Sequence, residues 1–191
     1  MEGVLTPEIW IAVAEQTGIA GLRRTTRDEP DYDKLMRGRL EILDQHRISL
    51  SKIQGIIGSL APLPGALGFL NALREQVPVI IVSDTFEQFA QPLLRQLGQP
   101  VLFCNRLIVE SDRITGYQLR IPDQKRCSVA ALQSLNYRVI AAGDSFNDTS
   151  MLTQADHGIL FRAPETVVRQ FPQFPGVAEY PALLERIRAL L

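Results

Sequence analysis

The 191 residues carry 20 Lys and Arg against 21 Asp and Glu, a formal charge of −1, and 46% of them are apolar. That is long enough to bury a substantial core unaided, and so even a charge balance gives no footing to nucleic acid or an acidic membrane surface as partner. Two cysteines, Cys104 and Cys127, without CxxC spacing argue against a zinc site or a disulfide scaffold, and with no leader and no apolar run near the roughly 20 residues of a membrane span the chain reads as soluble and cytoplasmic, its thiols reduced.

The chain opens MEGVLTPEIW, an acid, a glycine and two aliphatic residues with neither a capped helix nor a full strand ahead of them. PEIWIAVAEQTG then sets Ile9, Val13 and Gln16 on one side and stops at Gly18, which predicts a short helix. A polar stretch, RRTTRDEPDYD, follows. KLMRGRLEILDQHRI and LSKIQGIIGSL repeat apolar residues at helical spacing, Met36, Leu40 and Leu43, then Ile53, Ile56, Ile57 and Leu60. They predict two small helices packed together between Gly18 and Pro62.

From LPGALGFLNALREQ onward helix and strand alternate. VPVIIVSDT and YRVIAAGDS read as strands covered on both faces, because their aliphatic runs are continuous. FEQFAQPLLRQLG, KRCSVAALQSL, NDTSMLTQA and PETVVRQF read as helices, and HGILF as a further strand. VLFCNRLIVESDRITGYQLRI alternates about a turn-like ESDR and predicts a hairpin. The pattern is that of an α/β fold with a doubly wound parallel sheet.

Ligands of such sheets bind at the carboxyl ends of the strands, and two strand ends here are polar. In GDSFNDTSML the carboxylates of Asp144 and Asp148 crowd one edge and repel unless a cation sits among them. A hard divalent ion, Mg²⁺, suits them, bound directly by Asp144 and oriented by Asp148, with Asn147 free for a substrate oxygen. The plainer alternative is a loop and helix cap. In VIIVSDTF, the Ser83 and Thr85 hydroxyls and the N–H groups of Asp84 and Thr85 make an anion site at a helix N-terminus. Lys125 would neutralise a bound phosphate, with Arg126 as its rival. His46 and His157 lack a partner pattern. Trp10 and the Phe171, Phe174 pair read as packing residues, although an exposed apolar loop is also compatible with a homodimer.

These residues together resemble the haloacid dehalogenase superfamily, with Ser83, Lys125 and GDSFND as its second, third and fourth motifs. The chain is similar throughout to the phosphoserine phosphatase and homoserine phosphotransferase subgroup, including RGRLEIL and FPQFP. The resemblance implies a phosphatase core over residues 1–12 and 61–191 and a helical cap over residues 13–60. It implies Mg²⁺-dependent hydrolysis of O-phospho-L-serine through an aspartyl-phosphate, in serine biosynthesis. It assigns Arg39 to the substrate carboxylate, Glu8 to its amino group, Ser83, Asp84, Thr85 and Asn147 to the remaining substrate contacts, and Lys125 to the phosphoryl charge. Glu2 is implied as acid and base, and with Asp144 and Asp148 as part of the metal site through its backbone carbonyl.

The subgroup's first motif is Asp-Leu-Glu-Gly-Val-Leu, against which Glu2, Gly3, Val4 and Leu5 match and Met1 takes the Leu place. The expected nucleophile therefore falls just before Met1, and the expectation is a misplaced start that also leaves the neighbours of the first strand with open edges. Thr26 or a neighbour in TTRDEP replaces the methionine usual in the cap, which leaves room for homoserine as phosphoryl acceptor. Two further readings stay open: a phosphatase for another small phosphomonoester, and a non-catalytic phosphate- and Mg²⁺-binding protein.

Overall fold

Glycine and small polar residues stop and start the helices of this chain where the sequence says they should. The computed structural model describes residues 1–26, 28–29 and 31–191. Helix α1, Ile9–Thr17, ends on Gly18 in the left-handed region at φ 70°, a conformation that costs glycine nothing. Ile9 and Val13 are buried on its inner face, while Gln16 is exposed and donates to Ser59 instead. A 3₁₀ turn, Ala20–Arg23, precedes α2, Tyr32–Gln45, and α3, Leu50–Gly58. Asp31 and Ser49 cap these two helices, their side chains accepting from the Lys34 and Lys52 amides.

The alternating part begins with α4, Ala66–Arg74, β1, Ile80–Phe86, and α5, Glu87–Gln96. Pro92 lies inside α5 and has no N–H for the Gln88 carbonyl one turn earlier. The Gln54 side chain from α3 donates to that carbonyl at 2.8 Å, which satisfies the acceptor and ties the two helices. The predicted hairpin is β2, Val101–Glu110, and β3, Arg113–Gln118, antiparallel and closed by Ser111 and Asp112, both at positive φ. That turn matches the right-handed strand twist. Then come α6, Gln124–Ser134, β4, Ile140–Gly143, a 3₁₀ turn at Phe146–Asp148, α7, Thr149–Gln154, β5, His157–Phe161, and α8, Glu165–Gln170. The final β6, Gly176–Val177, and α9, Tyr180–Arg188, were not anticipated. Leu183 and Ile187 bury one stripe of α9, a four-residue spacing that was present in YPALLERIRAL.

The strands fall into two sheets, the mixed β1-β2-β3 and the parallel β4-β5-β6. Among the described residues no ladder joins β1 to β4. Side chains bridge them: Ile81 of β1 shares one apolar core with Ile159 and Phe161 of β5, with α4, α9 and Leu5. A second core joins α1, α2 and α3 to Phe86, Phe89, Leu93 and the hairpin residues Leu107 and Ile114. The helices between Gly18 and Pro62 are thus packed onto α5 and the hairpin and are continuous with them. No helix of the described residues is long and apolar enough to cross a membrane.

Candidate active site

The polar ends of β1 and β4, one in each sheet, point at one cavity of about 170 Å³. Glu2, Glu8, Arg39, Ser83, Asp84, Thr85, Lys125, Asp144, Asn147 and Asp148 all line it, so the structure brings together the ten residues to which the resemblance assigns a site role. Arg126 turns outward to Asp123, so of the two cations Lys125 alone lines this cavity. His46 and His157 lie elsewhere, and Cys104 and Cys127 are free thiols. Arg27 and Pro30, both in TTRDEP, lie outside the described residues, whereas Thr26 lines the cavity.

Lys125 and Asp148 form the centre. The Lys125 ammonium lies 2.8 Å from Asp148 and 2.8 Å from Asp84, with only 9% of the residue exposed. Burial opposes its charge, but the two carboxylates outweigh burial and raise its pKa. Asp148 is likewise desolvated, yet Lys125 holds its carboxyl below the usual range. Its second oxygen accepts from the Asp144 and Ser145 amides, so the residue is a cap and an ion-pair partner at once. A Cβ on Gly143 would stand 2.5 Å from that of Asp148, so only glycine fits at the end of β4. Burial, and after it the Asp148 charge, push Asp144 up to about 6.

The Ser83–Asp84–Thr85 segment differs in place from the sequence expectation. It belongs to the end of β1, in an irregularity where pairing with β2 skips from Val82 to Phe86, and α5 begins only at Glu87. The bulge aims the segment into the cavity. Gln124 donates to the Ser83 carbonyl at 2.7 Å, and Asn105 and Tyr32 donate to that of Asp84. Sequence reasoning missed all three, since nothing local marks them.

The other wall comes from α1 and α2. Glu2 accepts from the Ile9 amide at 3.0 Å at the open end of α1, and burial raises its pKa despite that bond. Glu8 stands at the N-cap of the same helix without a side-chain capping bond. Arg39 is buried, one Nη on the Arg24 carbonyl at 2.7 Å and the other 3.6 Å from the Met36 sulfur, while its Nε has no partner. Burial lowers its pKa to about 10. Asn147, on the 3₁₀ turn, reaches Thr26 at 3.3 Å.

The family model for haloacid dehalogenase-like hydrolases matches residues 7–153. The chain belongs to that family. It is 60% identical over 184 residues to a phosphoserine phosphatase of Pseudomonas syringae pv. tomato, covering 96% of this chain and 78% of that one. With phosphoserine phosphatase ThrH of Pseudomonas aeruginosa it shares 61% over 184 residues, or 96% and 90% of the two chains. A solved phosphoserine phosphatase of T. onnurineus superposes with a TM-score of 0.71 at 24% identity, covering 97% of this chain and 90% of that one, which establishes the fold. As a haloacid dehalogenase-like hydrolase the chain is an enzyme, and its sheet ends are where such a fold works.

Proposed function

We propose that this cavity hydrolyses O-phospho-L-serine to L-serine and phosphate. The observation that carries the reading is the pair of buried cations on opposite walls, Lys125 and an Arg39 whose Nε lacks a partner. A substrate with a phosphate at one end and a carboxylate at the other meets a cation at each end. The cavity lies below the roughly 300–1,000 Å³ of drug-sized sites, in keeping with so small a molecule.

The resemblance casts an aspartate of the first motif as nucleophile, and the residues of the cavity supply what surrounds it. Lys125, the Ser83 hydroxyl and the amides of Asp84 and Thr85 spread the charge of the transferring phosphoryl group. Arg39 holds the carboxylate, Glu8 the ammonium, and Asn147 a substrate oxygen. Glu2, whose proton affinity burial raises, gives a proton to the departing seryl oxygen and withdraws one from the incoming water.

The donor set fits Mg²⁺ in kind. Asp144 offers hard carboxylate oxygens, desolvated and repelled by the Asp148 charge, while both Asp148 oxygens are taken by Lys125 and by the Asp144 and Ser145 amides; among the described residues no group of three or more His, Cys, Asp or Glu gathers on one point. Asp144 and the Glu2 carbonyl would hold the ion, with Asp148 orienting the loop around it, and the ion would supply Lewis-acid neutralisation of phosphoryl charge.

Arg39→Ala is expected to lower kcat/KM for O-phospho-L-serine by about 10- to 100-fold, the worth of charge-assisted bonds to a carboxylate. With p-nitrophenyl phosphate, which has no carboxylate, the loss should stay within about threefold. Equal losses on the two substrates would remove Arg39 from the recognition of carboxylate.

A further inference from the structure

Beyond the residues that contact substrate in this reading, one aromatic side chain stands out by what it does to Arg39. Trp10 is the second residue of α1 and lines the cavity. The centre of the Arg39 guanidinium lies 4.4 Å from its ring centroid. The indole is fixed in turn: Phe89 of α5 meets it edge-on at 5.4 Å, and Phe86 meets Phe89 edge-on at 5.7 Å. A train of three rings therefore runs from the end of β1, next to the phosphate-facing Ser83–Thr85 segment, to the guanidinium on α2.

A buried guanidinium is expensive unless something offsets the lost hydration. Among the described residues Arg39 has no carboxylate within ion-pair distance; a carbonyl and a thioether take part of its fork, and Nε is unsatisfied. An aromatic face attracts the cation through its quadrupole without accepting any in-plane N–H bond. A carboxylate in the same place would consume the donors that a ligand needs. The ring thus stabilises the charge from one face and leaves the edge open.

We infer that Trp10 is a positioning residue for carboxylate recognition, holding Arg39 charged, oriented and unpaired so that a ligand carboxylate completes its hydrogen bonds. The inference deepens the proposed function and rests on it. Since the chain has one tryptophan, its fluorescence also reports directly on occupancy of this end of the cavity.

The test is calorimetric affinity for two probes, O-phospho-L-serine and O-phosphoethanolamine, which differ only by the carboxylate, on the wild-type chain and on Trp10→Leu, Trp10→Phe, Arg39→Ala and the Trp10→Leu/Arg39→Ala double variant. Trp10→Leu is expected to weaken O-phospho-L-serine about tenfold and O-phosphoethanolamine less than twofold. Trp10→Phe keeps a ring and should restore all but about threefold, and it carries the test if the leucine variant does not fold. In the double variant the leucine should add nothing to the loss from Arg39→Ala. In the wild type, O-phospho-L-serine should shift the indole emission and O-phosphoethanolamine should shift it less. Equal weakening of both probes, or none, in the Trp10 variants overturns the inference while a selective loss in Arg39→Ala keeps the proposed function. No preference for O-phospho-L-serine in the wild type, with Arg39→Ala changing neither probe, overturns both.

Discussion

Replacing Lys125 with methionine is expected to cut phosphate release from O-phospho-L-serine by at least about 100-fold and to lower folding stability by about 3–5 kcal/mol. Methionine keeps the length of the stem and deletes the charge. Asp148, 7% exposed, is left with the Asp144 and Ser145 amides and the Ser145 hydroxyl, which share one oxygen and leave the other without its cation. Removing one partner of a buried pair costs more than the pair contributes, because the remaining charge stays desolvated. The pH dependence has a definite sign. Asp148 has a depressed folded pKa, so its ion pair stabilises the wild type above the ordinary carboxylate range and that contribution fades as pH falls through the folded value. In the variant Asp148 regains a proton more readily, which relieves it. Urea unfolding in EDTA should show the difference between the two proteins largest at neutral pH and shrinking towards pH 3. A constant difference across that range would mean that Lys125 acts through packing alone.

Gly143→Ala is the second large effect. The new methyl would lie 2.5 Å from Cβ and 2.6 Å from Cγ and Oδ2 of Asp148, and Asp148 cannot swing aside without leaving Lys125 and two amides. The end of β4 has to move. Overpacking of this kind costs about 1–3 kcal/mol, and a displacement of about 1 Å at the reacting centre is worth about 100-fold in rate. Gly68→Ala supplies the control: it lies inside α4 with nothing within 4 Å of the added carbon, and it should stabilise the helix by about 0.5–1 kcal/mol. Thermal melts and phosphate release on the two variants give opposite signs if the reasoning holds. Full activity in Gly143→Ala would show that the Asp144–Asp148 loop adapts freely.

Much of this was readable from the sequence because it is local. VIIV and VIAA announce buried strands by their continuous aliphatic character, and the residues that follow them announce a site because acids and hydroxyls there have no core to join. Helical spacing placed α1 to α5 and Gly18 ended α1. What could not be read depends on contacts between distant segments. Asn105, Gln124 and Tyr32 look like ordinary polar or aromatic residues until folding brings them to the Ser83 and Asp84 carbonyls. Trp10 reads as packing, and it does pack, on Phe89; that its other face lies beneath Arg39 follows only from the crossing of α1 and α2. The position of Ser83–Thr85 was misjudged because a strand irregularity and a helix start share the same residues. Helix α9 was overlooked although its stripe was in view.

The order β4-β5-β6 carries over to how slowly one part of the chain opens. β5 is paired on both sides, by β4 and by β6, and its Ile159, Leu160 and Phe161 are wholly buried. Its amide protons should therefore exchange with solvent long after those of the exposed hairpin turn at Ser111 and Asp112, which makes this strand the slowest reporter of global opening.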